Sequence, residues 1–314
     1  FFDEIFRIEH VISPFLRPSA ELTCDRVLCR AGKIHNLGRA NFTRDALREM
    51  VAMTQQQEAV SLEQDGGVAL LRLNEPQTMN ALSWTIKAGF ERLIPQVLAD
   101  PAARVVVITG AGRAFCAGGD IRSMQSDRST TAVRARMAKT HGWLSALMST
   151  DKPVITAVNG TAAGAGLSLA LVGDVVLAAE DARFRAGFAG IGAAPDLGLM
   201  RTLPRAVGMP RAMELLMSNR DLPASEAAAM GLVSRLVPAD KLVGEAMSLA
   251  RKLAAGPAMC FAMMKQLGRR SYDSSLDAFL EAESAAQCLA FGSADFAEGV
   301  AAFLEKRKPT FGGS

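Results

Sequence analysis

The sequence predicts an α/β fold with largely parallel strand pairing, followed by a helical C-terminal region. Three observations carry this. Short β-branched runs recur along the chain, helical patterns separate several of them, and after Pro238 only helical patterns follow. The runs are Val68–Leu73, Arg104–Thr109, Pro153–Val158, Val175–Ala178 and Val233–Val237. The helical patterns between them cover Ser83–Leu98, Ala132–Met148 and Arg211–Met217. The C-terminal helices are expected at Lys241–Ala254, Ala258–Arg270, Leu276–Phe291 and Ser293–Lys306, with Gly256–Pro257 as the break between the first two. Their apolar surface calls for packing on the core or on another subunit.

The 314 residues divide into three expected parts. Residues 1–52 open on Phe, are rich in Arg and show no sustained period; they read as an atypical extension that need not be native. Interspersed acidic residues argue against a transit peptide there. From Met53 a polar lead runs into a strand, so 53–250 is the α/β core and 251–314 a helical region suited to oligomerisation.

Composition excludes several classes. About half the residues are apolar and a fifth charged, with a net charge of +3, and no Lys/Arg block suggests nucleic acid. No uncharged apolar run reaches membrane-spanning length. Five cysteines without a CxxC pair read as reduced thiols of a cytoplasmic protein. His10, His35 and His141 lack metal-ligand spacing, which leaves no metal site and no His-based triad to expect.

Two loops stand out. Gly110-Ala-Gly-Arg-Ala-Phe-Cys-Ala-Gly-Gly-Asp120 follows one strand, and Asn159-Gly-Thr-Ala-Ala-Gly-Ala-Gly-Leu-Ser168 follows another. Neither completes G-x-G-x-x-G, and no Gly-Lys-Ser/Thr is present. Small residues could serve tight packing alone. Two such loops after successive strands instead suit a pair of backbone N–H donors for an oxyanion.

AFCAGGDI, KPVITAVNGTAAGAGLSLALVGD, LPRAVGMPRAMELL, GLVSRLVP and EGVAAFLEKRKPTF resemble, in order from Gly67 to Gly312, the enoyl-CoA hydratase/isomerase (crotonase) family. The resemblance implies a crotonase-like spiral of ββα turns with a C-terminal helical region, assembled as trimers or hexamers. It implies an acyl-CoA thioester substrate, with coenzyme A entering as part of that substrate and no separate cofactor. The two oxyanion donors fall on the N–H groups of Gly119 and Ala165. Met79, Asn80, Ala81 and Leu82 match the segment lining the coenzyme A channel, and Ala117 and Asp120 the loop beside the pantetheine arm. Asp120 also fits a helix cap, the stronger reading.

The two glutamates that activate water in the family's hydratases fall on Ser168 and Phe188, neither of which is a base. Asp196 coincides with an aspartate that isomerase branches use for proton transfer, and it equally fits a turn between Pro195 and Gly198. The likeness is closest to the branch of phenylacetate catabolism that converts ring-1,2-epoxyphenylacetyl-CoA to oxepin-CoA. Leu199 departs from it, standing where Gly is usual. The expected activity is therefore an acyl-CoA isomerase, with a hydratase or a non-catalytic acyl-CoA-binding relative as alternatives. Cys116 reads as packing. Lys306, Arg307 and Lys308 suit either coenzyme A phosphates or a solvated helix end, and His141 reads as surface.

Overall fold

A computed structural model describes residues 58–125 and 127–313. The expectation of an extension over residues 1–52, and of a domain start at Met53, lies outside the described residues. Gln57–Ser314 forms one compact unit.

Its main sheet has six strands: β1 (Val60–Asp65), β2 (Val68–Leu73), β3 (Val105–Gly110), β5 (Val154–Val158), β7 (Val175–Ala179) and β10 (Arg235–Val237), in the spatial order β1-β2-β3-β5-β7-β10. The first pair is an antiparallel hairpin and every other pair is parallel. Helices between strands make this possible, because a parallel return needs a long crossover. Residues of β3 and β5 are all buried, so these strands read as continuous apolar runs and not as alternation.

A second sheet has the order β4-β6-β8-β9, from β4 (Ala114–Cys116), β6 (Thr161–Ala163), β8 (Arg183–Arg185) and β9 (Asp221–Pro223). All four strands are three residues long. Each of β4, β6 and β8 directly follows a strand of the main sheet, so each turn of the spiral supplies one strand to either sheet.

The helices of this part are α1 (Trp84–Ala99), α2 (Ile121–Met124), α3 (Thr130–Ser149), α4 (Ala165–Ala170), α5 (Leu199–Val207), α6 (Met209–Ser218) and α7 (Ala224–Ala229). Ser83 caps α1 by accepting from Ile86 N, and Ser129 caps α3 by accepting from Ala132 N. Phe90 of α1 stacks on Trp143 of α3 with centroids 4.9 Å apart, which locks the two helices together.

The C-terminal helices are α8 (Leu242–Ala254), α9 (Ala258–Arg270), α10 (Leu276–Phe291) and α11 (Ala294–Leu304). The first belongs to the core: Leu242, Ala246, Ala250 and Ala254 form a buried i, i+4 stripe against β2, β3, β5 and β7. The others hang on polar ties. Lys265 Nζ donates to Lys152 O at 2.7 Å and pairs with Asp174 at 2.5 Å, and Arg269 donates to Met148 O. Asp295 accepts from the N–H groups of Gly312 and Gly313. Phe303 and Leu304 are 83% and 74% exposed, beside an apolar cavity of about 370 Å³ lined by Met259, Phe296 and Phe311. Among the described residues, no helix is long and apolar enough to cross a membrane.

Candidate active site

The site grows from the pairing of β4 with β6. These run parallel, matching Ala114 to Thr161 and Cys116 to Ala162, so the loops at their C-terminal ends emerge side by side. Their approach is close enough to need glycine. Gly118 has φ +103°, and a Cβ there would lie 2.7 Å from Ala163 O and 3.6 Å from Ala165 N. A Cβ on Gly166 would lie 2.0 Å from Cys116 O, so the start of α4 is pressed against the first loop.

The chain turns sharply at Gly164 (φ +54°), and Ala165 opens α4 as its first residue. A first helical residue has no intrahelical acceptor for its N–H. Gly119 N is equally uncommitted, since the contact of this loop with Leu82 uses Leu82 N and Gly118 O, at 2.7 Å. Neither N–H has an acceptor among the described residues. Both N–H groups are thus unspent, on loops that approach each other closely at Gly118.

Asparagines hold this wall in place. Asn80 is fully buried: its Oδ1 accepts from Glu75 N at 2.9 Å, and its Nδ2 donates to Ala111 O and Ala114 O. Asn159 accepts from Gly110 N and donates to Gly112 O. Expected as lining of the coenzyme A channel, Asn80 instead spends its whole side chain as a clasp on the loop. Its neighbours differ: Met79 and Ala81 are partly exposed, Met79 O accepts from Ala117 N, and Leu82 is buried. Met79 and Asn80 both have positive φ, 53° and 54°, the strain that the clasp holds.

Asp120 caps α2, accepting from Arg122 N at 3.1 Å and Ser123 N at 3.3 Å. Its carboxylate thus serves the helix, as the cap reading expects. Ser168 is fully buried, and its hydroxyl reaches back to Gly164 O at 3.4 Å, a long bond within its own helix. Phe188, 7% exposed, starts a single 3₁₀ turn over Ala189–Ile191. Neither position supplies a base.

Asp196 lies on the loop between that turn and α5. The residues beside it have unusual backbone, with Leu197 at φ 49° and Gly198 at φ 75°. Its Oδ1 is buried with no hydrogen-bond partner from any other of the described residues. Burial pushes the carboxyl above the ordinary carboxylate range, and the charges of Lys87 and then His141 oppose this. Cys116, fully buried in the first loop, has its thiol pushed up to about 12 by burial, so it is packing and not a nucleophile.

Arg307 is bound bidentately by Glu298, at 2.6 and 2.9 Å, and so is not free for a phosphate.

The whole arrangement matches a known family. The family model described as enoyl-CoA hydratase/isomerase matches residues 63–314. The chain belongs to that family. The 1,2-epoxyphenylacetyl-CoA isomerase of Escherichia coli (strain K12) is 39% identical over 250 residues, covering 79% of this chain and 95% of that protein. A Rhodobacter capsulatus protein named "Probable enoyl-CoA hydratase" is 40% identical over 247 residues, covering 79% and 95%. Among solved structures, an enoyl-CoA hydratase from Polaromonas sp. JS666 has a TM-score of 0.76 at 34% identity, covering 80% of this chain and 99% of that one. The enoyl-CoA hydratase of Bacillus anthracis has a TM-score of 0.76 at 30% identity, covering 82% and 100%. The crotonase fold with C-terminal helices is the fold of this member of the enoyl-CoA hydratase/isomerase family.

Proposed function

We propose that the chain isomerises acyl-CoA thioesters, shifting a double bond or rearranging a ring-epoxide acyl group through a thioester enolate. The observation that carries this is the buried Oδ1 of Asp196, unpartnered among the described residues, together with buried Ser168 and Phe188 where the resemblance places the two hydratase glutamates. For a 3-enoyl thioester, Asp196 takes a proton from C2. The electron pair delocalises onto the thioester oxygen, where the N–H groups of Gly119 and Ala165 receive the negative charge. The same carboxyl returns the proton at C4, and the double bond comes to rest between C2 and C3. One desolvated carboxyl with a raised pKa suits both transfers, because its affinity for the proton is brought nearer that of the carbon acid. Each oxyanion donor contributes a factor of about 10² to 10³.

The test is proton exchange. The protein is incubated with a 3-enoyl-CoA in D₂O, and the double bond is followed by NMR beside Asp196→Asn. Migration with deuterium uptake, lost in the variant, is the expected result. Binding without exchange would leave an acyl-CoA-binding relative. A second reading, hydration, is favoured by the hydratase names of several relatives. Water addition to crotonyl-CoA would support it over isomerisation.

The same proposal takes the exposed apolar faces of α9–α11 as subunit contacts of a trimer or hexamer. Analytical ultracentrifugation decides that; a monomer at micromolar concentration would exclude it.

A further inference from the structure

We propose that Asn219 is a positioning residue for the second oxyanion donor: its side chain fastens the loop after β8 against Gly164, and so fixes the turn from which the Ala165 N–H points. This rests on the reading of Ala165 as a donor to the thioester oxygen.

A third loop stands behind the two that carry the donors. β8 continues the parallel order of β4 and β6, matching Ala162 to Phe184 and Ala163 to Arg185. Three loops therefore leave the same end of this sheet one behind the other, and their glycines lie in contact. A Cβ on Gly164 would lie 3.8 Å from Gly118 Cα. One on Gly187 would lie only 3.0 Å from Gly164 N and 3.1 Å from Gly164 Cα. Gly164 N also donates to Arg185 O at 3.0 Å. The residue before Ala165 is thus held between the first loop and the stretch Arg185–Gly187. Where that stretch lies decides where the turn into α4 lies.

Asn219 brackets the stretch. It ends α6 in the left-handed region, at φ 52°, and its backbone oxygen accepts from Arg185 Nε at 2.9 Å. Its Oδ1 accepts from Gly187 N at 2.6 Å. Its Nδ2 is seated against the next turn, 2.8 Å from the place a Cβ on Gly190 would occupy. The corner it stands on is fixed in turn. Arg220 pairs with Glu214 of α6 at 2.8 Å and with Glu226 of α7 at 2.7 Å, and the next residue, Asp221, is matched to Arg185 in the β8–β9 pair.

Stopping a helix does not explain this side chain. Glycine ends a helix at positive φ without steric cost, and asparagine adds nothing to the stop that glycine lacks. What asparagine adds is an acceptor bound to the loop that presses on Gly164. The order β4-β6-β8-β9 thus has an asparagine at either end: Asn80 bonds to Ala114 O of β4, and Asn219 leads into β9. A donor acts on a developing charge only when it is aimed beforehand, and a displacement of about 1 Å can cost about 10² in rate.

The test reads the carbonyl itself. An acyl-CoA carrying ¹³C at the thioester carbon is bound to the full chain, and its C=O stretch is measured by infrared difference spectroscopy, with kcat and KM for exchange alongside. In the parent the stretch should lie below that of the free thioester, because the N–H groups draw charge onto the oxygen. Asn219→Gly keeps the helix stop and removes the side chain. Its stretch should move back toward the free value, and kcat should fall about 10- to 10²-fold while KM changes by less than about twofold. Asn219→Asp, which keeps an acceptor for Gly187 N, should restore the parent stretch. An unmoved stretch in Asn219→Gly overturns the proposal. So does a lowered thermal midpoint with stretch and kcat intact, which would leave Asn219 to the fold alone. A parent stretch equal to that of the free thioester overturns it together with the donor reading. If the stretch moves as expected but the parent exchanges no protons, the positioning role stands and the isomerase reading is the one that fails.

Discussion

On the wall that carries Gly119 and Ala165, buried polar side chains are bound to backbone: Asn80 makes three such bonds and Asn159 spans the same loop. On the wall that carries Asp196, the buried carboxyl oxygen has no partner from another residue. On the proposed mechanism the contrast follows from what each wall must do. A donor pair works only if it is rigid and aimed before the charge appears, because reorganisation at that moment would forfeit its worth. A proton carrier must keep an open lone pair, so its wall is held by backbone turns and by charge at a distance. Full satisfaction builds the first function and would abolish the second.

The strongest attack is on the open wall. Asp196→Asn keeps the shape and removes the proton acceptor, so exchange into a 3-enoyl-CoA should fall by about 10² to 10⁴, the usual span for a general acid–base group. Retention of exchange would leave Asp196 as a turn residue. The next is on the donor wall. Ala165 is the first residue of α4, a position where proline is tolerated and where its N–H has no internal acceptor. Ala165→Pro should therefore fold, as circular dichroism would show, while losing about 10² to 10³ in kcat. Unchanged turnover would mean that the oxygen does not bind at this N–H.

A smaller effect is expected from the clasp. Asn80→Ala leaves Glu75 N and Ala111 O without their side-chain partner and Ala114 O with Asn159 Nδ2 alone, and unfolding in urea should show a loss of about 2 to 3 kcal/mol. Activity should drop with it, because the loop that aims Gly119 is what the clasp holds. Stability lost with turnover intact would separate the clasp from the donor wall and break the comparison.

The sequence showed these parts unevenly, for physical reasons. Val105–Gly110 and Val154–Val158 were legible because buried parallel strands are long apolar runs. The strands β4, β6, β8 and β9 were not, since three residues carry no period, and yet β4 and β6 are what bring the two loops together. Gly119 and Ala165 were named as donors by the family resemblance, while the glycines around them marked only a close approach of two loops. The clasp made by Asn80 was not legible, because a residue type does not say which way a side chain turns at positive φ.

The smallest expected effect tests whether the open wall carries a cost. Burial is the largest influence on Asp196 and raises its pKa above that of the unfolded chain. The folded state therefore binds the proton more readily than the unfolded one. For such a group the stabilising contribution is fully present below the unfolded value, and it is lost as pH rises through the folded value. An ionised carboxyl there is a burden that Lys87 and His141 offset only in part. Asp196→Asn, neutral at every pH, should thus be more stable than the parent at neutral pH, and the gain should vanish once the parent's carboxyl is protonated. Thermal midpoints of both proteins, measured from neutrality down to the ordinary carboxylate range, decide it. A variant no more stable than its parent at neutrality would mean that Lys87 and His141 offset the desolvation fully, and the two walls would then differ in bonding but not in energy.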